Sequence, residues 1–104
     1  MLPPRYESDE AVATETRTKT EKPKLFKVIL HNDDFTTMEF VVHVLETVFG
    51  LGEQESMRIM LEVHVKGAGV AGTFTYEVAE MKVAKTVSLA KAYEFPLMCT
   101  MEQE

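Results

Sequence analysis

The sequence predicts an α+β domain, a small three-stranded and mostly antiparallel sheet packed against three helices, with a flexible arm in front of it. Three observations predict this class. Residues 25–31 alternate with a strand period; two helix-period segments follow, separated only by Gly50-Leu51-Gly52; and a second strand-like run then passes into a third helical run that Pro96 closes. The resulting order is arm, β, α, α, β, α, β without internal repeats, which suits helices laid over one face of a sheet.

Residues 1–24 are rich in Glu, Thr, Lys and Pro and cannot bury enough apolar surface to offset the entropy of ordering. They are expected to form a disordered extension, leaving 25–104 as the folded core. The extension contains no apolar core of a signal peptide and is too acidic for an organellar transit peptide. No apolar stretch approaches the roughly 20 residues of a membrane span, so the expected location is the cytoplasm.

In the first strand, Phe26, Val28 and Leu30 point one way and Leu25, Lys27 and Ile29 the other. Asn32-Asp33-Asp34 ends it, because Asx side chains bond their own backbone and favour turns. Thr36-Thr37-Met38-Glu39 has capping-box spacing, with Thr36 as the expected cap. A helix over 37–49 carries Val41, Val44, Leu45 and Val48 on one stripe and stops at Gly50. The second helix, 52–65, is expected to share Met57, Met60, Leu61 and His64 on one face, to stop at Gly67, and to lie antiparallel to the first. Residues 70–76 read as the second strand. Thr75 is a plausible cap for a third helix over 76–93, with Val78, Ala79, Val83, Val87 and Ala90 facing inward. Residues 97–101 alternate as the last strand.

Several function classes fall away. The formal net charge of −6, without a basic patch interleaved with aromatics, argues against a nucleic-acid partner. A single cysteine excludes an intrachain disulfide and fits a reducing compartment; Cys99 reads as a buried structural thiol. No nucleophile elbow, P-loop, dinucleotide fingerprint or Cys-x-x-Cys pair is present, so neither an enzyme nor a cofactor is expected. His31, Asp33, Asp34, His43 and His64 are metal-ligand types, but no pair has the i, i+4 spacing of a helical clasp, and His43 is expected to face solvent.

The run from His31 to Phe40 therefore holds the chemistry. An amide and two carboxylates at the mouth of an apolar hollow suit an ammonium group, and a peptide α-amino group is mostly charged at neutral pH. Met38 and Val41 could line such a hollow, with Met60, Val63 and His64 from the second helix. On spacing alone, the better reading is that Met38, Met60 and Val63 are ordinary core and His64 a satisfied surface histidine.

The segments KVILHNDDFTTMEFVVHVL (27–45), MLEVHVKG (60–67), GTFTYEVAEMKV (72–83) and FPLMCTME (95–102) resemble the ClpS family in order and spacing over about three quarters of the chain. ClpS proteins are adaptors for the ATP-dependent ClpA–ClpP protease. The resemblance implies recognition of N-degrons, polypeptides beginning with Leu, Phe, Tyr or Trp. It implies that Asn32, Asp33, Asp34 and His64 hold the α-amino group and first peptide unit. By the same resemblance Met38, Val41, Met60, Val63 and Leu97 form the side-chain pocket, with Thr36 at its entrance and Met38 gating out β-branched residues. Glu77 and Lys82 match a surface that docks on the amino-terminal domain of ClpA, and the arm would promote handover of cargo. A monomer is expected. The chain departs from the family at Thr37, where a proline is usual, and at His31, where an apolar residue is usual. Losing that proline frees the loop and adds an amide donor. Two other readings remain: an interaction domain that docks on ClpA without reading N-degrons, and a metal-dependent enzyme built on the Asn32–Asp34 turn and His64.

Overall fold

A computed structural model describes residues 22–104, so most of the expected arm (1–21) lies outside the described residues. Strand β1 (Leu25–His31) is followed by helices α1 (Met38–Thr47) and α2 (Glu53–Lys66), strand β2 (Ala68–Thr75), helix α3 (Tyr76–Ala92) and strand β3 (Met98–Gln103). The sheet order is β2-β1-β3 and both pairings are antiparallel, with Val28 opposite Gly72 on one side and Met101 on the other. A bulge in β2 between the partners of Val28 and Ile29 adds one residue to that strand.

The alternation in β1 sets which face is covered. Val28 and Leu30 are fully buried, each worth roughly 1.5–3 kcal/mol of apolar burial, and they join Val41, Val44, Leu45, Ile59, Val63 and Ala79 in one core. Helix α3 packs on all three strands, α2 on β2, and α1 on α2. On the opposite face Lys27 pairs with Glu102 at 3.7 Å, and the His31 ring hydrogen-bonds the Thr100 hydroxyl at 2.7 Å. That bond gives His31 a partner where an apolar side chain would need none.

The structure corrects several local expectations. The stripe of α1 is as expected, but α2 buries Ser56, Ile59, Met60 and Val63, while Met57, Leu61 and His64 face outward. The sequence carries two stripes of the same helical spacing one residue apart, and packing against β2 selects the one with the small Ser56. In α3, Ala79 and Ala90 are buried as expected, but Val78 is exposed and Thr86 is fully buried. His43 is half-buried against the rings of Phe40 and Tyr93, at centroid distances of 6.2 and 5.8 Å, rather than free in solvent. Strand β2 begins at Ala68 and β3 runs to Gln103, so both differ from the expected bounds by a few residues. Thr75 occupies the N-cap position of α3 without making a side-chain cap bond.

Two glycines fix how α2 meets β2. Gly67 caps α2 at φ +93°, a left-handed conformation, and its N–H donates to the Val63 carbonyl. A Cβ at Gly69 would lie 2.9 Å from Val63 Cγ2, so only glycine lets the strand pass this close to the helix.

Candidate functional site

The loop between β1 and α1 is tied to the end of α2. Asn32 N–H donates to the Gly67 carbonyl at 2.9 Å, continuing the β1–β2 ladder past His31 and Ala68. This bond brings Asn32 beside the last turn of α2, where His64 stands. Sequence residues 32 and 64 become neighbours for that reason.

Asp33 organises the loop that follows. Its Oδ1 accepts the amides of Phe35 (2.8 Å) and Thr36 (2.7 Å), and its Oδ2 accepts the Thr36 hydroxyl (2.7 Å). Burial opposes its ionisation, but these three donors outweigh that and hold its pKa below the ordinary carboxylate value. Asp34 takes part in none of these bonds and is exposed. The two adjacent carboxylates are thus unlike: one is consumed by the turn and the other is presented.

With its amide and hydroxyl both on Asp33, Thr36 is not the cap of α1. The cap moves one residue on, with Phe40 at the third helical position and so no reciprocal box, and the Phe40 amide donates to the Thr37 hydroxyl at 3.1 Å. Thr37 sits at φ −75°, ψ 154°, inside the φ range that a proline ring enforces. The expected loosening of the loop is therefore offset: Thr37 keeps a proline-like backbone and adds a cap bond.

The loop, the start of α1 and the end of α2 enclose a cavity of about 300 Å³. Val41, Met60 and Val63, all buried, form its deep wall, while Met38 is 45% exposed and stands nearer the opening. Asn32, Asp34 and His64, all exposed, supply polar groups at the rim, and Asp33, Thr36 and Thr37 complete the lining. The i, i+3, i+4 spacing of Met60, Val63 and His64 lets one helix provide both wall and rim. The volume lies at the low end of the roughly 300–1,000 Å³ of small-ligand pockets. An apolar pit edged by a free carboxylate, an amide and an imidazole can bury one bulky side chain while hydrogen-bonding a cationic group attached to it.

Not every candidate residue joins it. Leu97 is buried in the core but does not line the cavity. Thr37, read from sequence only as a departure in the loop, does line it; a hydroxyl directly before the first helical residue was the available signal. Glu77 and Lys82 lie on α3, away from this lining. The Lys82 ammonium donates to the Val48 carbonyl at the end of α1 (2.7 Å) and sits 5.8 Å from the ring centres of Phe49 and Phe74.

Among the described residues no three His, Cys, Asp or Glu side chains converge as a metal site; His31 and His43 are held elsewhere by the contacts given above. Cys99 is buried, and burial pushes its thiol up to about 11 against a weaker opposing contribution from Thr86. No described helix is long and apolar enough to cross a membrane.

Known proteins match this chain along most of its length. Residues 21–100 match the family described as "ATP-dependent Clp protease adaptor protein ClpS". The ATP-dependent Clp protease adapter protein ClpS of Hyphomonas neptunium is 56% identical over 93 residues, covering 89% of this chain and 79% of that protein. The protein of the same name from Desulfatibacillum aliphaticivorans is 55% identical over 104 residues, the whole of both chains. Among solved structures, Agrobacterium tumefaciens ClpS2 bound to L-phenylalaninamide superposes with a TM-score of 0.77 at 42% identity, covering 80% of this chain and all of that one. The relatives are adaptors by name rather than enzymes. This chain belongs to the ClpS family of ATP-dependent Clp protease adaptors.

Proposed function

We propose that the protein binds the free amino terminus and bulky hydrophobic first residue of a polypeptide and delivers it to the ClpA–ClpP protease. The observation that carries this reading is the pairing, in one cavity, of a buried apolar wall with an exposed rim of Asn32, Asp34 and His64. Asp34, whose carboxylate is not spent on the turn, accepts the α-ammonium directly, with Asn32 and His64 bonding the amino group and first peptide unit. Asp33 holds the loop that positions them. The first side chain, Leu, Phe, Tyr or Trp, enters between Met38 and the wall of Val41, Met60 and Val63.

The ligand of the Agrobacterium relative supports this assignment. L-phenylalaninamide carries a free α-amino group, a benzyl side chain and a carboxamide, the three features of an amino-terminal phenylalanine. Burying such a side chain is worth roughly 1.5–3 kcal/mol, and charge-assisted bonds to the ammonium bring the total into the micromolar range. Catalysis plays no part, and no cofactor is needed.

Delivery requires a second surface, for which Glu77, exposed in the first turn of α3, and Lys82 are the assigned residues, with the amino-terminal domain of ClpA as partner. Residues 1–24 assist handover. The test is reconstituted degradation of one reporter protein beginning with Phe or with Glu. Addition of this protein accelerates loss of the Phe reporter alone, and Glu77→Arg reduces that acceleration without changing peptide affinity. Equal acceleration of both reporters would mean that the protein docks on the unfoldase without reading amino termini.

A further inference from the structure

A separate hollow, of about 260 Å³, opens on the other side of α1. Thr37 lines both it and the cavity described above, but beyond Thr37 the two part. Met38 and Val41 line the cavity, whereas Phe40 and His43 line the hollow. At about 100° per residue these pairs lie on opposite faces of the helix. Tyr93 and Phe95, from the end of α3 and the turn after it, supply the rest of the wall, and exposed Glu39 adds a carboxylate.

The wall is made of rings. The Phe40 ring centre lies 4.7 Å from that of Phe95 and 5.2 Å from that of Tyr93, and His43 lies 5.8 Å from Tyr93. Glu94, at φ +64°, occupies the left-handed position after the helix that glycine usually fills. The Phe95 N–H closes that turn on the Ala90 carbonyl at 2.8 Å, which brings the residues on both sides of Glu94 to Phe40. Tyr93 nevertheless stays 54% exposed, so the core does not consume its ring.

We infer that this hollow is a subsite for a basic side chain, arginine above all, carried by the bound polypeptide at roughly its third to fifth residue. The inference rests on the proposed function, because the anchored first residue is what brings the basic one within reach. The start of α1 is about 10–12 Å across. A chain that leaves the cavity over Thr37 crosses it in about three extended residues, and the length of an arginine side chain widens that window by one position either way.

The chemistry of the wall sets the preference. Aromatic faces carry the negative side of the ring quadrupole, and they attract a guanidinium or ammonium within about 6 Å. The planar arginine head also stacks on such faces, while its N–H groups reach a carboxylate, here Glu39. An acidic side chain at the same place meets ring faces, Glu39 and a net charge of −6, and is disfavoured by all three. An uncharged side chain of arginine's shape keeps the ring contact and loses the electrostatic attraction.

The experiment titrates the full chain with peptides Phe-Gly-Gly-X-Gly-Gly, where X is Arg, citrulline, Gly or Glu, and with Arg moved to the third and fifth positions. Acetylated Phe-Gly-Gly and acetylated Gly-Gly-Arg-Gly serve as controls, and the set is repeated with Tyr93→Ala, Tyr93→Phe and Glu39→Gln. Neither position lines the first cavity, and thermal melts verify that the variants fold. At its best position Arg is expected to bind about three- to tenfold tighter than Gly, with citrulline close to Gly and Glu weakest. Tyr93→Ala removes most of the Arg advantage and leaves the Gly peptide unchanged, whereas Tyr93→Phe keeps the advantage. Glu39→Gln costs the Arg peptide about twofold and the citrulline peptide nothing. Binding that distinguishes free from acetylated Phe yet ignores X overturns the subsite and leaves the proposed function standing. An Arg advantage that survives Tyr93→Ala, or is matched by citrulline, also overturns it. Acetylated Gly-Gly-Arg-Gly binding as tightly as the free Arg peptide would mean that the hollow takes cations without the cargo, which overturns the link to the first residue. Failure of every Phe peptide to bind removes the proposed function and the subsite together.

Discussion

Replacing Asp33 and Asp34 one at a time by alanine separates the two tasks that the structure divides between neighbouring carboxylates. Asp33 accepts three hydrogen bonds of 2.7–2.8 Å, two of them from backbone amides. Bonds to an ionised acceptor are worth about 1.5–3 kcal/mol each when well buried. Asp33 is only half-buried and Phe35 is exposed, so water recovers much of that on truncation. A net loss of about 1–2 kcal/mol is expected for Asp33→Ala, which in a domain of this size lowers Tm by roughly 5–15 °C. Asp34→Ala removes no bond of the turn and should shift Tm by less than about 3 °C. Peptide affinity reverses the order of cause: Asp34→Ala loses the ammonium contact outright and weakens binding more than tenfold, while Asp33→Ala weakens it through a disordered loop.

The pH profile gives a second readout of the same assignment. Because the folded-state pKa of Asp33 is depressed by its donors, its stabilising contribution is present above the unfolded value of about 3.9 and fades as pH falls through the lower, folded value. Urea titrations followed by circular dichroism between pH 7 and pH 3 should show this loss in the wild type and a smaller one in Asp33→Asn. Equal destabilisation by Asp34→Ala and Asp33→Ala, or an acid slope unchanged in Asp33→Asn, would show that Asp33 does not hold the turn.

Three further outcomes follow from single contacts. Thr37→Ala loses the cap bond of α1 and about 1 kcal/mol, whereas Thr37→Pro loses the same bond but regains about 0.4–1 kcal/mol from a stiffer unfolded chain; calorimetry should rank proline above alanine, and the reverse order would contradict the proline-like backbone at this position. Gly69→Ala drives a Cβ into Val63, a wall residue of the cavity, so it should cost about 1–3 kcal/mol and weaken binding of a Phe-peptide, whereas unchanged affinity would show that Val63 does not shape the pocket. Cys99, its thiol pushed up to about 11 by burial, should react with a thiol reagent at pH 8 at least roughly 200-fold more slowly in the native protein than in urea; comparable rates would contradict the buried placement.

Much of the fold was legible in the sequence because its signals were local. The alternation of β1 and the Val41, Val44, Leu45, Val48 stripe of α1 each admit one buried face, and the structure buries that face. Helix α2 was less legible because Met57 and Leu61 compete with Ile59 and Val63 at the same spacing, and only contact with β2 decides the phase. Thr86 shows a different failure: a buried hydroxyl on α3 breaks the rule that polar residues face out, so periodicity passes over it. At the site, the loop run and the pair Met60–Val63 were readable from residue type and from resemblance. The division between Asp33 and Asp34 was not, since adjacent identical side chains differ only in which amides the folded loop turns toward them. The shift of the cap from Thr36 to Thr37 has the same origin, because Asp33 claims Thr36 first. Leu97 was assigned to the pocket by resemblance alone, and in this chain it is buried in the core and is not among the residues that line the cavity.

If one cavity reads a free amino group and a bulky apolar side chain together, calorimetric titration with peptides that differ only at the first residue shows it. Phe- and Leu-peptides should bind in the micromolar range, with the Glu-peptide and the acetylated Phe-peptide each at least tenfold weaker. Equal affinity for all four would contradict the account.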